Sequence, residues 1–155
     1  MSVSVDYTGR ANDLFIFQGA QADGEQVISL TFGDIGQITA GLQKMAQTFT
    51  LAFLTELGTQ AFNDSYGSEF MTDIRTGAIQ SEADIEGAFV SGAGQAVEWA
   101  QYKALQAGLP ADETLESVNL DDYFVDGDQL LLYLTLTSAA GGTAAILLPV
   151  PVAIK

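Results

Sequence analysis

The sequence contains no cysteine and no histidine. Without cysteine there is no disulfide framework and no thiolate to act as nucleophile or ligand. Without histidine the commonest general base and metal ligand is missing, and the serine and cysteine triads in their usual form go with it. Cations are scarce as well. Arg10, Lys44, Arg75, Lys103 and Lys155 stand against 20 acidic residues, for a net charge of -15. Phosphate binding is driven by clustered lysine and arginine, so nucleic acid and anionic membranes are not expected partners. The charge suits solubility, or docking onto a basic surface. No run of about 18 apolar residues exists, so no membrane span is expected. The segment MSVSVDYTGR lacks the basic-then-apolar pattern of a signal peptide. The longest apolar stretch, Ala144 to Ile154, is short and carries two of the three prolines. No internal repeat, linker or low-complexity tract is visible. These absences lead to the expectation of a soluble protein made in the cytoplasm.

What is present argues for a packed core. Hydrophobic residues make up 48% of the 155 and the mean hydropathy is +0.22, which opposes disorder despite the charge. The expected class is α+β in one domain, 1–155, with an N-terminal arm or hairpin at 1–33, a helical part at 34–110 and a three-stranded antiparallel β-meander at 111–155.

The centre of the organisation is Ile35 to Gly77. Asp34 is placed to cap a helix starting near Ile35. Ile35, Ile38, Leu42, Met45, Phe49, Phe53 and Leu57 then follow spacings of three and four, one apolar stripe along the helix. Gly58 suits the left-handed residue that ends it. A turn-rich segment follows, in which Phe62 and Tyr66 are expected to anchor the connection. A short helix from about Glu69 to Arg75 closes at Gly77. Before this bracket, Leu14–Phe17 and Val27–Phe32 read as the strands of a hairpin joined through Gly19 to Glu25. After it, Ser81-Glu82-Ala83-Asp84 has capping-box spacing and opens a helix carrying Ile85, Phe89, Ala96, Trp99 and Tyr102. Its glycine-rich middle permits close approach by another helix, and Gly108 and Pro110 stop it.

The last third changes period from 3.6 to 2. Strands are expected at Thr114–Val125, Gln129–Ser138 and Thr143–Val152, joined by Asp126-Gly127 and Gly141-Gly142. In the middle strand Leu130, Leu132, Leu134 and Leu136 share one face, and Leu131, Tyr133, Thr135 and Thr137 the other. Pro149 and Pro151 point to an edge position for the last strand.

Candidate chemistry is thin. Glu56, Asp64, Glu69 and Glu98 lie near the bracket, and a glycosidase-type pair needs one of them held protonated at a set distance from another. With 20 acids in the chain, chance pairs are expected. The run Asp121 to Asp128 invites a calcium reading, but Phe124 occupies a position where the EF-hand loop needs an oxygen ligand. Gly92-Ala93-Gly94 lacks the strand-first context of a dinucleotide fingerprint. No cofactor or metal is expected.

Residues Gly41 to Gly67 read GLQKMAQTFTLAFLTELGTQAFNDSYG. They resemble the baseplate wedge and tail-sheath initiator family of contractile phage tails, the gene-25-like or W-like proteins. The shared pattern is a helix ending in a leucine- and threonine-containing turn, a glycine, an aromatic or proline pair, and a second glycine before a short helix. Here these are Leu54-Thr55, Gly58, Phe62 and Tyr66-Gly67-Ser68, followed by Phe70. The order of elements from about Gly33 to Val150 is similar too. One departure is the absence of the family's Glu-Pro-Arg triplet from Leu105 to Glu113. The resemblance implies a structural protein of the virion, present in several copies in a ring around the tail tube. Its partners would be baseplate wedge, tube or hub proteins and the tail sheath protein. It implies a C-terminal sheet that accepts or donates strands to the first sheath ring, for which Ile146, Leu148, Val150 and Val152 are the expected residues, and a family-motif turn at Gly58, Phe62, Tyr66 and Gly67. Removing about residues 143–155 is expected to block sheath growth while the rest still folds. The competing expectations are a carboxylate-dependent, lysozyme-like glycan hydrolase of the tail and a small-ligand or chaperone module.

Overall fold

The computed structural model describes residues 13–14, 18–22, 25–29 and 38–152 of an α+β fold. The period-two third of the chain builds its frame. Strands β5 (Leu115–Asp126), β6 (Gln129–Ser138) and β7 (Thr143–Pro151) form the expected antiparallel meander. Burial alternates along β6 as the pattern requires, with Leu130, Leu132, Leu134 and Leu136 in the core. The first turn is one residue later than the Asp-Gly signal suggested: Asp126 still pairs with Gln129, and Gly127 takes the left-handed φ of 63° that a two-residue turn demands.

The prolines mislead about the edge. The sheet runs in the order β2-β3-β7-β6-β5, so β7 lies inside it and β5 at one end. Strands β2 (Gln18–Ala22) and β3 (Glu25–Ser29) form an antiparallel hairpin, and β3 joins β7 in parallel through Gln26↔Ile146 and Val27↔Leu147. The prolines fit an interior strand because of which way their nitrogens face. Hydrogen bonds at both ends of the β6–β7 ladder, Val152 N–H to the Asp128 carbonyl and Ser138 N–H to that of Gly142, fall on even-numbered residues. Pro149 and Pro151 are odd, so the N–H each lacks would face away from β6. With Ile146, Leu148 and Val150 in the core, removal of 143–155 takes out an inner strand. The expectation that the rest would still fold is therefore withdrawn.

The hairpin is also displaced from its expected residues. Gln18–Ala22 is strand, and the ladder runs up to Ala22↔Glu25. Leu14 instead pairs with Ile38, in the two-residue ladder of β1 (Asp13–Leu14) with β4 (Ile38–Thr39). The expected strand residues Phe15, Ile16, Phe17, Leu30, Thr31 and Phe32 lie outside the described residues, as does the Asp34 cap.

Helix α1 spans Gly41–Leu54, not Ile35 to Leu57. Ile38–Thr39 is extended, and Gly41 starts the helix with a φ of 64°. The helix is more than a stripe on a scaffold. Met45, Phe49 and Phe53 are buried as the stripe predicts, but so are Lys44, Gln47 and Thr50 on other sides. The Thr50 hydroxyl, 2.8 Å from the Ala46 carbonyl, is satisfied inside its own helix.

Helix α2 (Phe70–Thr76) and helix α3 (Glu82–Ala107) close over α1. Gly77 and Gly108 end them in left-handed conformations. Ser81 caps α3 by accepting the Asp84 N–H, while the Asp84 carboxylate accepts the Gln80 N–H at 3.0 Å and the Ser81 hydroxyl at 2.8 Å. Phe53 is the centre of the aromatic core, stacked 4.6 Å from Phe70, 5.5 Å from Phe49 and edge-on to Phe89 at 5.6 Å.

Candidate functional site

The corner between α1 and α2 carries the motif residues, and the structure separates their roles. Thr55 leaves the helix with an extended ψ of 131°, so the helix ends before Gly58. Gly58 does take a left-handed φ of 75°, but inside the turn where Thr59 N–H reaches the Glu56 carbonyl, not as the helix cap. The returning chain, Tyr66 to Ser68, comes back against the end of α1. Ser68 N–H donates to the Thr55 carbonyl at 2.8 Å and its hydroxyl to the Phe53 carbonyl at 2.6 Å, while Leu57 N–H donates to Ser68. Gly67 sits between these bonds at a φ of 112°, and a Cβ there would lie 2.7 Å from the Thr55 carbonyl oxygen. The position admits only glycine.

Tyr66 and Phe62 were expected to anchor this corner together. Tyr66 does: it is buried, edge-on to Trp99 with ring centroids 4.5 Å apart, and burial pushes its hydroxyl above the usual tyrosine pKa. Phe62 does not. Its relative accessibility is 106% and its φ is +70°, a ring held out at the tip of the turn. The corner then packs on α3 through a second glycine contact, because a Cβ on Gly92 would meet Phe70 Cβ at 2.6 Å.

The start of α1 is fastened to the sheet by one carboxylate. Buried Glu113, just before β5, accepts the Gly41 N–H at 3.0 Å with Oε1 and Lys44 Nζ at 2.9 Å with Oε2. An anion at a helix N-terminus is favoured by the helix dipole as well as by its lysine partner. Nothing in the local sequence announces this contact, since Glu113 is one acid among 20.

The candidate catalytic carboxylates sit in different surroundings. Asp64, Glu69 and Glu98 are exposed. Glu56 accepts Arg75 at 2.6 Å and the Thr72 hydroxyl at 3.1 Å, and the hydrogen bond from Arg75 holds its carboxyl below the usual glutamate range. A general acid needs the opposite shift. The Asp121–Asp128 run forms the end of β5 and its turn, and no metal-binding group of acids occurs among the described residues.

No protein-family model, curated protein or solved structure matches the chain. The geometry therefore stands alone. Among the described residues, no helix is long and apolar enough to cross a membrane.

The four expected strand-exchange residues lie on the helix-facing side of β7 and just beyond it. Ile146, Leu148 and Val150 are buried and Val152 half-buried. Their parity directs the N–H and C=O groups of the first three at β6. The structure thus places them as core and ladder. The backbone edges lie elsewhere, on the end strands β2 and β5; the longer is β5, whose 12 residues pair with β6 on one side only among the described residues.

Proposed function

We propose that the chain is a structural baseplate protein of a contractile phage tail, one that templates tail-sheath assembly through strand exchange at its sheet. The observation that carries the reading is β5, a strand of 12 residues at the end of a five-stranded sheet, unpaired along its outer side among the described residues. Such an edge offers N–H and C=O groups in register to an arriving extended segment. Left bare, it is an aggregation hazard that proteins ordinarily suppress.

The other support is rigidity. A template must present its edge at a fixed angle, and here the sheet is tied to α1 by Glu113, while α1 is tied to α2 and α3 by the glycine contacts at Gly67 and Gly92. The resemblance of Gly41 to Gly67 to the sheath-initiator family makes the tail sheath protein the expected partner. Baseplate wedge and tube or hub proteins would hold several copies in a ring. The reading needs no cofactor.

The test is assembly. Purified sheath protein is mixed with baseplates carrying this chain or lacking it, and sheath growth is followed by electron microscopy. Ordered sheath growing only from baseplates that hold the chain supports the proposal. Equal growth without it, or cell-wall cleavage by the purified chain that Glu56→Gln abolishes, overturns it.

A further inference from the structure

The sheet ends in β2, of five residues, and β5, of 12, while the outer strand of the meander on its other side, β7, is already paired with β3. On β7 the outward backbone positions are the odd residues, among them Ala145, Leu147, Pro149 and Pro151. Parallel pairing with β3 occupies the region around Leu147. Beyond it the two prolines leave outward carbonyls with no outward N–H, so a continuous ladder cannot form there.

On β5 the pattern is reversed. Val118, Leu120, Tyr123 and Val125 stand opposite Leu136, Leu134, Leu132 and Leu130, whose own backbone groups face β7. The four β5 residues therefore turn their N–H and C=O groups outward. Tyr123 N–H is taken by the Asp122 carboxylate at 2.8 Å, which leaves Val118, Leu120 and Val125 as donors.

A second observation lies beneath that edge. Helix α3 runs under β5, because Tyr123 hydroxyl lies 3.3 Å from Glu86 Oε1 and Gln101 Nε2 lies 3.2 Å from the carbonyls of Leu115 and Glu116. At 100° per residue, Val90 falls on the helix between the directions of Glu86 and Gln101. It belongs to the flank that meets the β5 edge, yet it is 71% exposed, and Leu105 further round the same side is 82% exposed. Between them Gly94 leaves open space, with nothing within 4 Å of where a Cβ would be. Among the described residues, a backbone edge with no partner strand and an uncovered apolar helix flank thus adjoin each other.

Charge selects what fits. β5 carries Glu116, Asp121, Asp122 and Asp126 and no cation. A second copy approaching edge to edge would set these carboxylates against their own kind, which opposes pairing. We infer that β5 and the Val90–Leu105 flank of α3 form a single docking surface for an extended, basic segment of another protein, in which lysine or arginine alternates with apolar residues. The segment extends the sheet beside β5, lays its apolar side chains on Val90 and over Gly94, and turns its cations to the β5 carboxylates. This deepens the assembly reading by naming the edge and the chemistry of the arriving strand.

The probe is a blocked peptide of about nine residues alternating lysine and valine, with a glutamate–valine counterpart. Binding is measured by titration calorimetry, and its place by amide hydrogen exchange. The expected result is binding of the lysine peptide alone, with new protection at Val118, Leu120 and Val125. Raising the salt to about 1 M, where the screening length falls to roughly 3 Å, weakens it. Val90→Arg, at an exposed site, reduces affinity by about tenfold or more with an unchanged melting temperature, and Val118→Pro removes an outward donor without touching the β6 ladder. Protection at Ala145 and Leu147 instead, equal binding of the glutamate peptide, or dimerisation through β5 overturns the inference. Peptide binding at β5 by a chain that does not nucleate sheath keeps this inference and removes the tail-sheath reading.

Discussion

Glu113 and Lys44 are 69 residues apart in the chain and 2.9 Å apart in space. One side chain lies in the turn just before β5 and the other in the first turn of α1, so their ion pair locks the start of the sheet to the central helix. Because the other Glu113 oxygen holds the Gly41 N–H, the lock fixes both the position and the start of α1.

This relationship sets the first prediction. Glu113→Gln keeps the shape but removes the charge facing Lys44, and should lower unfolding free energy by about 1.5–3 kcal/mol. A double-mutant cycle with Lys44→Met, read by urea denaturation, should show a coupling of the same sign. Additive single effects would mean the two groups stabilise the fold independently.

The glycine contacts predict two costs of different origin. Gly92→Ala forces a methyl against Phe70 and should cost about 1–3 kcal/mol by overpacking. Gly67→Ala adds left-handed strain to a backbone clash and should cost about 2 kcal/mol or more. Thermal melts of the two variants beside Gly94→Ala, where the space is open, separate crowding from any general helix effect.

Phe62 offers the opposite test. With its ring wholly outside the core, Phe62→Ser should change stability by less than about 0.5 kcal/mol. A defect confined to assembly on baseplates, with the melting temperature kept, would mark the ring as a contact to a neighbouring protein.

Acid should reveal the Glu56–Arg75 pair. The folded carboxyl sits below its unfolded value, chiefly through the hydrogen bond from Arg75. Its contribution is therefore fully present above the ordinary glutamate pKa and is lost as the pH falls through the lowered one. The Asp84 carboxyl behaves alike, held down first by the Ser81 hydroxyl. Glu56 is half-buried beside an exposed Arg75 and Asp84 is exposed, so solvent screening keeps the effect small. NMR titration should place both midpoints below those of free side chains, and Glu56→Gln should flatten its part of the acid limb.

Where the sequence was legible, one local rule decided the outcome. The period-two leucines of β6, the Ser81 and Gly108 caps and the closing role of Gly77 follow from spacing and turn chemistry, and they stand. The misreadings came where tertiary partners overruled a local signal. Periodicity carried the first helix back to Ile35, but Ile38 pairs with Leu14 and Gly41 turns the chain. Two prolines suggested an edge strand, yet their missing N–H groups point away from β6 and leave that ladder whole. Phe62 was expected to anchor the connection with Tyr66, yet its ring stands fully in solvent on a backbone of φ +70°. Of the site, Gly58 and Gly67 were visible as glycines in a turn. The free edge of β5 was not, because which strand ends a sheet depends on the remote pairing of β3 with β7.

That pairing also orders events in time. Translation delivers β3 well before β7, so the hairpin must wait for the strand that joins it to the meander. Until Thr143–Pro151 emerges, β6 has an unpaired side and its core leucines lack their β7 neighbours Ile146, Leu148 and Val150. Long-range parallel closure of this kind is slow and exposes sticky intermediates. The nascent chain should therefore depend on chaperone shelter until β7 has emerged, and a ribosome stalled before Thr143 should hold a protease-sensitive, unclosed sheet.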